Sequence, residues 1–128
     1  MKNKLSSEQL SQFLDFVAEA QRLYKFCSDE VNTQDKLTQD YLHSLELGEL
    51  SCSERSKLAT KLATNRKDRR YYKDRVEELE PIVQFFSDPA HKKLLDKLSS
   101  TVLGQVRKAE SYHKDRIYIP RVLKEGKI

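Results

Sequence analysis

With 128 residues, the chain is long enough to bury one core but not two. Hydrophobic residues make up 38% and charged residues 34%, the balance of long helices with narrow apolar stripes, and three Gly and three Pro leave little material for loops. The formal charge is +4, no apolar run nears the ~20 residues that span a bilayer, and no apolar stretch follows Met1-Lys2-Asn3-Lys4-Leu5; neither a membrane span nor a signal peptide is expected, and the location is read as cytoplasmic.

The pattern predicts one all-α domain over 1–128, an antiparallel coiled-coil-like bundle of three long helices with an extended C-terminal tail. The first helix is placed over 7–47. Ser6 and Gln9 have capping-box spacing, and apolar or small residues recur at Leu10, Phe13, Leu14, Val17, Ala20, Tyr24, Cys27 and Val31, then at Tyr41, Leu42 and Leu45. Asn32-Thr33-Gln34-Asp35 is its weak point, where a local break is expected if anywhere. Gly48 is a natural stop.

The second helix is placed over 52–86, opening at Ser51-Cys52-Ser53-Glu54 with the same cap spacing. Its seam is Leu58, Leu62, Asn65, Arg69, Tyr72, Val76, Leu79 and Val83. Pro81 lacks a backbone donor, so a kink or short restart is expected there, and Phe85 and Phe86 are expected to close the bundle end. The third helix is placed over 89–116, with Asp88 as N-cap, Pro89 in the first helical position, and a seam of Leu94, Leu95, Leu98, Val102, Val106, Ala109 and Tyr112. Residues 117–128 alternate and contain Pro120. They are expected to be extended, and apolar enough to pack as a strap.

The seam of the second helix carries the main functional hint. Where it should face a partner helix it holds Asn65, Arg66 and Arg69. An antiparallel turn near Gly48 puts residues whose numbers sum to about 100 opposite each other, so Val31 faces Arg69 and Asp35 faces Asn65. Asp35, with Glu30 or Gln34, is then placed to pair with Arg66 and Arg69. Two readings stand: a polar layer that fixes register, or a site for phosphate or an acidic partner.

Charge is uneven along the chain. Residues 1–50 hold five basic and nine acidic side chains, 51–88 nine and seven, and 89–128 ten and four. Either the acidic and basic ends pair internally, or the C-terminal third presents an anion-facing surface. On an α-helical wheel Lys93, Lys97, Arg107, Lys108 and Lys114 gather on the back of the third helix. Lys67, Arg70 and Arg75 lie beside Tyr71, and the tail adds Arg121, Lys124 and Lys127. Basic residues among tyrosines suit phosphate contact with base stacking. Tyr71, Tyr118, Arg70 and Arg121 are equally suited to anchor a protein interface.

Nothing points to catalysis. There is no glycine-rich phosphate loop, nucleophile elbow or His-Glu-x-x-His pattern. His43, His91 and His113 are far apart, and Glu110–His113 alone does not make a metal site. Cys27 and Cys52 have no metal or redox spacing and read as reduced thiols. No enzyme activity, cofactor or metal is expected. The expected partners are another protein, nucleic acid or a second copy of the chain, and no membrane.

Three stretches carry a resemblance: Thr38-Gln39-Asp40-Tyr41-Leu42-His43-Ser44-Leu45-Glu46-Leu47, Arg66-Lys67-Asp68-Arg69-Arg70, and Tyr118-Ile119-Pro120-Arg121-Val122-Leu123. Together they resemble small helical proteins of unknown function encoded by phages and prophages of Gram-positive bacteria. The resemblance implies an accessory or host-takeover factor that binds host machinery, such as an inhibitor of a defence nuclease or of another nucleic-acid enzyme. The residues held for partner or nucleic-acid binding are Arg66, Lys67, Arg69, Arg70, Tyr71, Lys93, Lys97, Arg107, Lys108 and Arg121.

Overall fold

The computed structural model describes residues 4–123 and is all-α, with no strand among them. α1 (Ser6–Leu47) and α2 (Cys52–Ser87) are long; α3 (Pro89–Lys97) runs through a π-helical stretch (Leu98–Val102) into α4 (Leu103–Lys114). Two compact units are present. One joins the residues up to Leu14 with those from Lys93 onward; the other is Asp15–Lys92.

In the Asp15–Lys92 unit, α1 and α2 form an antiparallel hairpin. α1 ends at Leu47, and the Gly48 N–H donates to Ser44 O at 3.0 Å. A Cβ on Gly48 would sit 2.6 Å from that carbonyl, so only glycine makes this turn without displacement. α2 opens on the expected cap: Ser51 Oγ accepts from the Glu54 N–H at 3.1 Å and donates to Glu54 Oε1 at 3.0 Å. Val17, Ala20, Cys27 and Leu79 form the buried apolar line, while Leu42 of the expected seam is exposed, as is Phe13 in the other unit. No large side chain is fully buried, so the hairpin rests on half-buried contacts spread along its length.

Neither a break in α1 at Asn32–Asp35 nor a restart of α2 at Pro81 occurs. α1 is continuous through Asn32–Asp35, where Gln34 is held from across the hairpin by the Asn65 amide. α2 is continuous through Pro81 and does not restart. Pro81 and Glu77, whose carbonyl loses its donor, both lie on the exposed side, where water can satisfy that carbonyl. Phe85 does not close an apolar end either. It is exposed and stacks on His91 at 3.9 Å between centroids, and His91 Nδ1 lies 2.8 Å from Phe85 O, so that a protonated Nδ1 donates to it. Asp88 caps the next helix as expected, with Oδ1 accepting from the Ala90 N–H at 2.8 Å and Pro89 in the first helical position.

In the other unit the capping box expected at Ser6 and Gln9 is replaced by a distant residue. The Ser7 N–H donates to Glu110 Oε1 at 3.1 Å and the Ser7 hydroxyl to Glu110 Oε2 at 2.9 Å. A carboxylate here satisfies an orphan donor and meets the positive end of the helix macrodipole. Glu110 reaches that place through the π-helical stretch. Closing a turn over five residues instead of four adds one residue, so later positions rotate by about 100° from the α-helical phase. The buried side therefore runs through Leu103, Val106 and Glu110, while Ala109 and Tyr112, expected inside, are exposed. α4 ends at Lys114, two residues before the expected end.

The tail is not a packed strap over its described part. Ile117, Tyr118, Ile119, Val122 and Leu123 are 58–90% exposed. The alternation and Pro120 favour extended backbone, and no described partner surface covers it. Residues 124–128, with Lys124 and Lys127, lie outside the described residues.

Candidate functional site

The polar interruption of α2 is a satisfied layer inside the hairpin. Asn65 is 4% exposed. Its Nδ2 donates to Gln34 O at 2.9 Å and Gln34 Oε1 at 2.7 Å, and its Oδ1 accepts from Thr38 Oγ1 at 2.6 Å. The single Thr38 hydroxyl proton has Gln34 O as a second acceptor at 2.9 Å. Arg69 Nε donates to Asp35 Oδ1, with the arginine side chain 18% exposed. The expected register is thus nearly right: Asp35 pairs with Arg69 as expected, whereas Arg66 makes no such pair among the described residues, and Gln34 and Thr38 rather than Asp35 take Asn65. Thr38 gave no sign in the sequence beyond its position one turn after Gln34.

Among the described residues, Arg69–Asp35 is the one ion pair that crosses between helices; Arg22–Glu19, Arg70–Asp74 and Arg75–Glu78 are local. Arg66, Lys67, Arg70 and Tyr71 are exposed on α2. Arg70 only approaches Asp74, at 3.8 Å. Of the Asp15–Lys92 residues singled out from the sequence, Arg69 is therefore committed to the hairpin and the other four face solvent.

Tyr71 belongs to a half-open aromatic cluster. Its ring meets Tyr72 edge-on at 5.4 Å, and Tyr72 meets Phe26 at 6.1 Å. Burial holds the Tyr72 phenol above its ordinary pKa of 10.0, and the charges of Glu30 and Asp68 raise it further. The folded state thus favours the neutral phenol. Its contribution to stability is complete below the unfolded-state value near 10 and falls as pH rises above it. Thermal melts between about pH 9 and 11 are expected to show a smaller alkaline drop for Tyr72→Phe than for the wild type; equal drops would remove Tyr72 as a cause.

Beside this cluster the hairpin has an open groove. One part is lined by Gln34, Leu37, Tyr41, Thr60, Lys61, Thr64, Asn65 and Asp68. The adjoining part shares Lys61 and is lined by Ser44, Leu50, Glu54, Lys57 and Leu58. The sequence reading missed this groove, because its polar rim residues look like an ordinary solvated face.

In the other unit, Lys93, Lys97, Arg107, Lys108 and Arg121 are all exposed, and none forms an ion pair among the described residues. The expected wheel does not survive the π-helical stretch. Lys93, Lys97 and Lys108 stay roughly on one side, whereas Arg107 and Lys114 rotate away. Arg107 instead borders a groove with Ser7, Glu8, Ser11 and Gln12 at the start of α1.

Cys27 and Cys52 are both free. Among the described residues no group of His, Cys, Asp and Glu could hold a metal ion, and no helix is long and apolar enough to cross a membrane. No family model, curated protein or solved structure matches this chain.

Proposed function

We infer that this all-α protein works by binding another protein and carries out no catalysis. The observation behind this reading is the tail, where Ile117, Tyr118, Ile119, Val122 and Leu123 stand in water around Pro120 and Arg121. Contiguous exposed apolar surface is costly alone and marks interaction sites. An extended segment with alternating apolar side chains suits uptake into a partner's groove or sheet edge, with Arg116 and Arg121 meeting an acidic rim. In keeping with the resemblance to phage and prophage proteins, the partner is a cytoplasmic host protein, such as a nucleic-acid enzyme or defence nuclease whose activity the binding modulates.

A tagged full-length chain is expected to capture a discrete protein from bacterial lysate with and without nuclease treatment, and to lose it with Ile119→Asp and Val122→Asp. Retention by both variants would remove the tail from the interface.

The second reading is direct, charge-led binding of RNA or DNA, favoured by Arg66, Lys67 and Arg70 beside exposed Tyr71 and by Lys93, Lys97 and Lys108. The same capture separates the two, because partners lost on nuclease treatment would move this reading to first place. Phosphate contacts also weaken steeply with salt, while an apolar protein interface does so little.

A further inference from the structure

We propose that the open groove of the α1/α2 hairpin takes the same groove of a second copy, antiparallel about a two-fold axis that passes between Lys61 and Thr64 of α2. Its floor is Leu37, Tyr41 and Leu58, apolar or amphipathic side chains left half-buried by a hairpin of only two helices. Along its α2 rim run Glu54, Lys57, Lys61, Thr64, Asp68 and Tyr71, all exposed. Lys57, Lys61 and Asp68 enter no ion pair among the described residues.

The order of charges on this rim selects the occupant. A two-fold axis brings each position opposite one whose number makes a constant sum with its own. With the axis midway between Lys61 and Thr64, Lys57 faces Asp68 of the second copy, Lys61 faces Thr64, and the Glu54 carboxylate faces the Tyr71 hydroxyl. Each contact occurs twice, and no like charges oppose each other. The strip is self-complementary when read backwards, as an isologous interface requires, and its apolar floor would leave water as the rim pairs form.

Sedimentation equilibrium on the full chain tests the proposal. The wild type is expected to dimerise. Lys57→Glu and Asp68→Lys should each weaken the dimer by about tenfold or more, because each turns both copies of one pair repulsive. An equimolar mixture of the two variants should dimerise again, since Lys57→Glu on one chain meets Asp68→Lys on the other while the native Asp68 and Lys57 still meet. Far-UV circular dichroism checks that both variants keep their helices. A wild type that stays monomeric, a dimer indifferent to either reversal, or a mixture that stays monomeric would each overturn the proposal.

Discussion

Asn65→Asp is expected to destabilise the hairpin by about 3 kcal/mol at neutral pH. The exchange replaces a donor with an oxygen facing two acceptors, Gln34 O at 2.9 Å and Gln34 Oε1 at 2.7 Å. Gln34 can rotate its side-chain amide to donate, but its backbone carbonyl cannot change role. The site is almost closed to water, so both burial and the facing carbonyl disfavour the charged carboxylate. Its folded-state pKa would therefore lie above the unfolded value of about 3.9, and the variant should be most stable below that pH and weaken as pH rises. Urea unfolding of the wild type and variant across pH measures this. A loss under about 1 kcal/mol that does not vary with pH would mean the layer is open to solvent.

Glu110→Ala should cost about 2 kcal/mol and loosen the beginning of α1. Glu110 accepts both the Ser7 N–H and the Ser7 hydroxyl, and Ser7 is largely buried, so water replaces the carboxylate poorly. Glu110→Gln keeps one acceptor and loses the charge, and should cost about half as much. Hydrogen exchange read residue by residue is the sharper test. Amides in the first turns of α1 are expected to exchange faster in Glu110→Ala, while those flanking Asn65 stay unchanged. Uniform protection along α1 in the variant would show that Ser7 is held by other means.

The features that could be read from the sequence are those with local causes. Ser51 and Glu54, Gly48, and Asp88 with Pro89 each act within one turn, and each ends or begins a helix where its chemistry requires. The hairpin register also emerged, because a short turn fixes it and Asn65 would otherwise lie buried without a partner.

What was not legible depends on residues far apart or on a change of helical period. Leu98-Ser99-Ser100-Thr101-Val102 reads as ordinary helix, and nothing in its composition announces i→i+5 closure; Ser100 Oγ bonding back to Asp96 O is a local bond that any helical serine can make. That one added residue put Ala109 and Tyr112 outside and Glu110 inside, and it took Arg107 off the expected basic face. Glu110 is separated from Ser7 by 103 residues, so no periodicity links them. The tail misled in the other direction: its apolar alternation is real, but nothing in the described chain covers it.

The polar layer also sorts competing states. Two long helices with repeating apolar stripes can pair in several ways that differ by a heptad, and half-buried apolar contacts tolerate most of them. Asn65 does not. A slip of seven residues one way carries it from Gln34 and Thr38 to Tyr41 and Leu45, and the other way to Cys27 and Val31. In both cases its amide loses most of its partners, at a cost of about 1–3 kcal/mol, while Arg69 leaves Asp35 for Leu42 or Ser28. The native pairing is thus separated from its nearest rivals by an energy gap set at one cross-section of the hairpin, which leaves the rest of its surface free to vary in composition.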